Sequence, residues 1–300
     1  MSLSFALALA PAFLLLRMFQ RMDAKRPEPP GSVRTVVLLG VASCIPAVII
    51  ELMLTALLGP ATVNADGKLV NAFLVAATTE ECLKLACVYF YLWKKPHFDE
   101  VMDGILYTAA ASLGFAMLEN VLYVGSNIGI AIMRALSAVP MHALCSAGMG
   151  YFIGRAKLAR QGAALWCLAG LGFAISTHGA YDWALMSEGS FGEGPSNPAF
   201  GLLVAIAIVA SAGVAVRLLY KHALKLDDAL LGPYARPLAT TTDSANPQGL
   251  QPYAGMPVLV HWADGNVYPA SLVGGQGGHF LCAMPGGRQE WVPRERVRPA

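Results

Sequence analysis

Residues 71–93 read NAFLVAATTEECLKLACVYFYLW, an apolar run with two carboxylates and an ammonium, Glu80, Glu81 and Lys84, in its middle. A helix needs about 20 mostly apolar residues to cross the hydrocarbon of a bilayer, so the run is long enough to span. A charge at that depth costs several kcal/mol, so three neighbouring charges need both partners and a purpose. At about 100° per residue, Lys84 projects between the directions of Glu80 and Glu81 and reaches either, at i+4 or i+3. One glutamate can then be held by Lys84 while the other serves as a general base.

The rest of the chain has the same character. Of its 300 residues 56% are hydrophobic and 13% charged, with a mean hydropathy of +0.53. Soluble globular chains carry about 25% charge, and this surplus of apolar residues also excludes disorder, collagen and a small disulfide scaffold. A net charge of +2, from 21 basic and 19 acidic residues, gives no field for a nucleic-acid partner. Apolar stretches at 2–20, 35–58, 71–93, 104–124, 128–154, 163–186 and 199–220 predict an all-α, multi-pass bundle of about seven transmembrane helices. The fifth contains Arg134 near its start and is the least regular. The first lacks a preceding basic region and is followed by Arg17, which reads as a retained anchor rather than a cleaved signal peptide.

Connector charges alternate. Arg17, Arg21, Lys25, Arg26 and Arg34 flank the first; Lys94 and Lys95 follow the third span, Arg155, Lys157 and Arg160 the fifth, and Arg217, Lys221 and Lys225 the seventh. The other connectors hold only Lys68, or no basic residue, as in Ser187–Pro198. Positive-inside then places the N-terminus outside the cell membrane and the C-terminus in the cytoplasm. Cys44, Cys82, Cys87, Cys145, Cys167 and Cys282 form no CxxC pair, and are read as small hydrophobes.

With this topology and a rise of about 1.5 Å per residue, Glu80 lies roughly 13 Å below the outer end of its span and Glu119 about 7 Å from the outer side. His142 falls roughly 15–20 Å in, and His178 about 12 Å. Four polar positions from four helices share the outer half of the bilayer, which implies one polar cavity opening outward. Phe115 and Glu119 are at i, i+4, with Asn120 beside them; His178 and Asp182 share that spacing, so Asp182 can orient the imidazole. Glu51 reads as a structural or pore-mouth residue. These groups suit addition of water to a carbonyl: a carboxylate takes the proton, a histidine stabilises the oxyanion, and an acid protonates the leaving amine. Asp103-Gly104, at the cytoplasmic edge, is at the wrong depth to work with Glu80.

Residues 226–250 are rich in Pro, Thr and Ala and read as a flexible linker after a transmembrane domain, 1–225. In 251–300 the period changes to two. Runs VLVHW, VYPASLV, HFLCAM and EWVPRERV, with turns at Asp264-Gly265, Gly274-Gly275 and Gly286-Gly287, predict a small all-β cytoplasmic barrel. Trp262, Tyr268 and Phe280 are expected in its core rather than in an aromatic cage.

Glu80-Glu81-x-x-Lys84, Asp103-Gly104-Ile105-Leu106-Tyr107, Gly114-Phe115-x-x-x-Glu119-Asn120, His142 and His178-Gly179-x-x-Asp182 together resemble the PrsW family of intramembrane proteases, relatives of the CAAX-prenyl endopeptidases and bacteriocin-immunity (Abi, CPBP) proteins. The resemblance covers roughly residues 35–220. It implies glutamic-type cleavage of membrane-anchored, single-pass proteins, in its best-known form the first cut of an anti-sigma factor on the extracytoplasmic side. It maps the catalytic set to Glu80, Glu81, Glu119, His142 and His178, supported by Lys84, Phe115, Asn120 and Asp182, with no cofactor. The C-terminal barrel resembles a Tudor-like module with an unknown ligand. Three alternatives stay open. Glu80 or Glu81 with His142 and His178 could hold Zn²⁺, the chain could be a proton-coupled transporter or channel, or it could be a scaffold whose cytoplasmic barrel binds a partner while the membrane part anchors it.

Overall fold

The computed structural model describes residues 3–24, 26–59, 65–95, 97–124, 128–159, 161–187, 197–231, 255–262, 266–276, 279–285 and 288–300. They form two compact units, Met1–Leu224 and Lys225–Ala300. The first is helical: α1 (Leu3–Met22), α2 (Pro30–Leu58), α3 (Ala65–Val70), a π-helical segment (Asn71–Ala77), α4 (Thr78–Leu92), α5 (Val101–Val124), α6 (Ile128–Leu136), α7 (Ala138–Leu158) and α8 (Ala163–Met186), with most of α9 (Pro198–Leu231). Helix occurs at each of the seven expected spans. Among the described residues, five stretches are long and apolar enough to cross a membrane: Pro30–Leu58, Val101–Tyr123, Ile128–Leu158, Ala163–Met186 and Pro198–Ala229. The segment with Glu80, Glu81 and Lys84 is not among them, since those charges lie at its centre.

The burial pattern is inside out relative to a soluble protein. Leu14, Leu52, Met53, Leu57, Phe90, Leu122, Leu165 and Leu168 are exposed, while Glu81, Lys84, Asn120, His142 and His178 are buried. Such a surface requires lipid around it. Helix α5 is the axis of the bundle and packs on α1, α2, α6 and α7. Small residues permit this. A Cβ on Gly104 or Gly150 would fall on the backbone of the other's helix, and one on Gly114 would fall on the Val37 carbonyl of α2. Of the small-residue runs in α7 and α8, Gly148, Gly150, Gly154 and Gly170 are close-contact positions, whereas Gly172 has open space beside it.

Three hydrogen bonds gather the basic connectors at one end of the bundle. Ser32 Oγ pairs with His97 Nε2 at 3.0 Å, Lys157 Nζ donates to the Trp93 carbonyl at 2.5 Å, and Tyr220 donates to the Met22 carbonyl at 3.1 Å. Lys25, Arg160 and residues 188–196 lie outside the described residues.

The fifth span is not one helix. It breaks at Ser137, whose hydroxyl turns back onto the Met133 carbonyl at 2.8 Å and pairs with the Tyr181 hydroxyl at 2.8 Å. Pro140 follows in the first turn of α7, where its missing N–H removes no helical bond.

In the second unit, helix α9 continues through Leu231, so residues 226–231 of the expected linker are helical; Gly232-Pro233 is the stop signal that follows. Residues 232–250 lie outside the described residues. Strands β1 (Pro257–His261), β2 (Val267–Gln276), β3 (His279–Ala283), β4 (Gln289–Pro293) and β5 (Val297–Pro299) form one antiparallel sheet in the order β4-β3-β2-β1-β5. Val258, Val260, Ala270, Leu272, Phe280, Cys282, Val292 and Val297 are its core. Trp262 packs against this core, but Tyr268 is 37% exposed and is not part of it. Gly274-Gly275 is not a turn. Both glycines pair inside β2, beyond a bulge between Leu272 and Gly274, a place where a strand tolerates glycine. Asp264-Gly265 and Gly286-Gly287 lie outside the described residues.

The glycine contacts yield a paired test. Gly150→Ala drives a methyl into the α5 backbone and is expected to cost about 1–3 kcal/mol, as overpacking does. Gly172→Ala meets nothing within 4 Å and should leave stability unchanged or slightly higher. Thermal unfolding in detergent reads both. Equal melting temperatures would show that the α5–α7 approach is not tight.

Candidate active site

Four helices converge on one ammonium. Helix α4 supplies Glu80, Glu81 and Lys84, helix α5 Phe115, Glu119 and Asn120, helix α7 His142, and helix α8 His178 and Asp182. The π-helical turn precedes α4 directly, and the Thr78 hydroxyl closes it by donating to the Phe73 carbonyl at 2.7 Å. Such turns widen a helix by one residue and often mark functional sites. Beyond it the ordinary helical period resumes, so the spacing read from the sequence holds. Lys84 Nζ donates to Glu80 Oε2 at 2.9 Å and to Glu81 Oε1 at 2.8 Å. It also lies 3.0 Å from His142 Nδ1 and 4.3 Å above the Phe115 ring.

The two glutamates are not equivalent. Glu81 is bonded through both oxygens: Oε1 accepts from Lys84 and, at 2.9 Å, from His178 Nδ1, and Oε2 accepts from the Ser146 hydroxyl at 2.9 Å. Among the described residues Glu80 has one hydrogen bond, from Lys84, and its Oε2 lies 3.8 Å from His142 Nδ1 and 3.9 Å from His178 Nε2. Exposure rises outward, from 0% for the Lys84 and Glu81 side chains to 7% for Glu80, 14% for Glu119 and 18% for Asp182. Of the two motif glutamates, Glu80 is the one with exposed side-chain surface.

The histidines differ in the same way. His142 Nε2 pairs with Glu119 Oε2 at 2.7 Å and its Nδ1 faces the ammonium, which suits a neutral ring with the proton on Nε2. His178 faces a carboxylate on each side, Glu81 at Nδ1 and Asp182 Oδ2 at 3.2 Å from Nε2; two N–H donors satisfy both. The rings meet edge to face, their centroids 5.0 Å apart. Glu119 also pairs with Arg134 Nη2 at 2.8 Å, while Arg134 Nε donates to Asn120 Oδ1 at 2.8 Å.

A family model for the PrsW family intramembrane metalloprotease matches residues 28–212, more than half the chain and every residue of this cluster. The chain belongs to the PrsW family. It is similar to Protease PrsW of Geobacillus kaustophilus, 39% identical over 184 residues that cover 61% of this chain and 80% of the relative. Protease PrsW of Bacillus subtilis is 35% identical over 179 residues, 59% and 80% of the two chains. That of Halalkalibacterium halodurans is 31% identical over 184 residues, 60% and 81%. No solved structure matches. The protein is a membrane-embedded peptidase, and the family match ends before its β unit begins.

The family's description implies a metal, and the donor types fit one. Glu80, Glu81, His142 and His178 each offer a ligand atom, all within 4.8 Å of one another. Each imidazole is oriented by a carboxylate at Nε2, as metal-binding histidines usually are. The Lys84 ammonium, however, is already within 3.0 Å of three of these PrsW residues.

All nine residues singled out in the sequence lie in or against this cluster. Three contributors were missed. Arg134 reads in the sequence as an irregularity of the fifth span, close enough to its end to reach the interface, so no acidic partner is demanded there. Ser146 lies one turn after His142 on the same face, a spacing that could have revealed it. Cys145, read as a small hydrophobe, lies with Sγ 3.6 Å from Glu81 Oε1. Its chain neighbours gave no sign of that.

Removing the ammonium leaves two buried carboxylates facing each other. Lys84→Met is expected to destabilise the protein by roughly 3–5 kcal/mol, the cost of an uncompensated buried charge. Lys84→Met with Glu81→Gln should recover part of the loss. Melting temperatures in detergent measure both; an unchanged value for Lys84→Met would refute the compensating role.

Proposed function

We propose that this peptidase hydrolyses peptide bonds of single-pass membrane proteins by water activated at Glu80. The observation that carries this reading is the asymmetry of the glutamates: Glu81 is fully buried and bonded through both oxygens, while Glu80 accepts one bond among the described residues and keeps 7% of its side chain exposed. In the step proposed, Glu80 takes a proton from water as the oxygen adds to the scissile carbonyl carbon. An N–H of His178, turned from Asp182 toward the substrate, stabilises the oxyanion. Protonated Glu80 then returns its proton to the amine nitrogen as the C–N bond breaks. Glu81 and Lys84 hold the array, and the Arg134–Glu119–His142 chain fixes the second imidazole.

A second reading, favoured by the histidine–carboxylate pairs, has Glu80 or Glu81 with His142 and His178 hold Zn²⁺, which when bound would polarise the carbonyl and acidify water. It requires Lys84 to leave its present partners, which is why the metal-free reading comes first.

The site's position within apolar helices supports a membrane-anchored substrate, and an anti-sigma factor cut on its extracytoplasmic side is the substrate the family resemblance offers. The basic connectors collected at one end of the bundle support a cell-membrane protein with that end, and the β unit, in the cytoplasm. The glutamic-type kinship with CPBP proteins rests on the Glu80-Glu81-x-x-Lys84 array. For the β unit, the five-stranded order supports the Tudor-like resemblance, whose ligand or protein partner is unknown.

Fragments of membrane proteins compared between cells making wild type and Glu80→Gln at equal levels should show new termini only with wild type, mapping to the outer side. Identical termini in both, with the mutant folded, would remove the proteolytic role of Glu80. In purified protein, chelation should leave cleavage unchanged. Loss on chelation with recovery on added zinc would establish the second reading instead.

A further inference from the structure

The Asp103-Gly104-Ile105-Leu106-Tyr107 motif plays no part in the chemistry above, yet Asp103 is fully buried. It lies at the connector end of α5, about 24 Å along the helix from Glu119 at 1.5 Å per residue. Around it, three separate segments bring in carboxyl groups: Asp23 and Glu28 from the α1–α2 connector, Asp99 and Glu100 from the α4–α5 connector, and Asp103 itself. One oxygen each of Asp23, Glu100 and Asp103 lies within 4.8 Å of the others, and all three residues are buried. Arg26 pairs with Glu100 at 2.5 Å, and Tyr107 donates to Glu28 Oε2 at 2.5 Å. The other carboxyls would repel one another if ionised.

The state of Asp103 points to what resolves this. Its Oδ2 accepts the backbone N–H groups of Asp99 and Glu100, at 2.9 and 2.8 Å, which fixes the carboxylate. The Asp103 carboxyl also meets the Glu28 carboxyl, and its buried Oδ1 takes no N–H or hydroxyl donor among the described residues. Facing carboxyls must share either a proton or a cation, and a carboxylate oriented through its other oxygen is the form a metal ligand takes. Burial pushes the Asp23 carboxyl up to about 8 and Glu28 up to about 7, so protons and cations would compete here.

We propose that Asp23, Glu100 and Asp103 bind a hard divalent cation, Mg²⁺ or Ca²⁺, at the connector end of the bundle. All the donors are oxygens, the preference of these ions over zinc. Ca²⁺ takes oxygens at about 2.3–2.6 Å, so ligand atoms up to about 5 Å apart can share it; Mg²⁺ would need the three to close slightly. The ion ties both connectors to the start of α5, the helix that carries Phe115, Glu119 and Asn120 at its other end. It is independent of the chemistry proposed for Glu80.

The test uses the full chain, purified in detergent and stripped with chelator. Tb³⁺ is the probe, because Tyr107, bonded to Glu28, is placed to sensitise its emission. The expected result is saturable emission that Ca²⁺ or Mg²⁺ displaces, lost in Asp103→Asn and in Asp23→Asn, and retained in Glu80→Gln/Glu81→Gln/Lys84→Met, which removes the three charges of the α4 array together. Ca²⁺ or Mg²⁺ should also raise the melting temperature of that triple variant. If Asp103→Asn does not fold, Asp23→Asn decides, since among the described residues that side chain accepts only a 3.3 Å bond from the Glu28 N–H. No emission, emission indifferent to both substitutions, or emission lost in the folded triple variant would overturn the site. So would a melting temperature that neither ion moves.

Discussion

An ammonium sealed from solvent organises the helical unit. Lys84 contacts two carboxylates of its own helix α4, the His142 imidazole of α7 and the Phe115 face of α5. In hydrocarbon an unpaired lysine is prohibitive, so helices α4, α5 and α7 must stand where they can supply these groups. His178 is drawn in through Glu81, and α8 with it. The same requirement explains why the two glutamates differ: Glu81 shares most in holding the array and is engaged through both oxygens, whereas Glu80 is held by Lys84 alone among the described residues.

Close helix approach is the second constraint, and it works through atoms that are absent. Where Gly104 meets Gly150, and where Gly40 and Gly114 lie between α2 and α5, backbones touch with no side chain between them. In lipid there is little hydrophobic gain from joining helices, so packing and polar contacts must supply the association. Glycine contacts set the spacing of the helices along α5, and the polar cluster fixes their rotation. The two ends of α5 are then stabilised differently. One end meets Arg134 through Glu119 and Asn120, and the other meets a carboxyl-rich patch.

Much of the site was legible because a membrane makes polar residues conspicuous. Glu80, Glu81, Lys84, Glu119, His142 and His178 stand out in apolar sequence, and helical rise alone put them at similar depth. Ser146 and Arg134 were harder to see. A serine in an apolar helix can satisfy itself on its own backbone, and an arginine near a span's end can reach the interface, so neither demands a partner on sequence grounds. At the break, the Ser137 hydroxyl pairs with Tyr181 from another helix, a contact that no local pattern encodes. In the β unit, choosing Gly274-Gly275 as the turn failed because glycine serves a bulge as well as a turn, and only pairing with β3 distinguishes the two.

The sequence by itself determined the helical membrane bundle, the two-residue period of the C-terminal sheet, and the reach of Lys84 to both glutamates. These follow from local periodicity and from the cost of charge in lipid, which act on neighbours along one chain. Tertiary structure alone decided which glutamate stays open, which carboxylate each histidine faces, and that Asp103 belongs to a second buried cluster. Those outcomes depend on donors from other helices, brought together by backbone contacts that no single segment encodes.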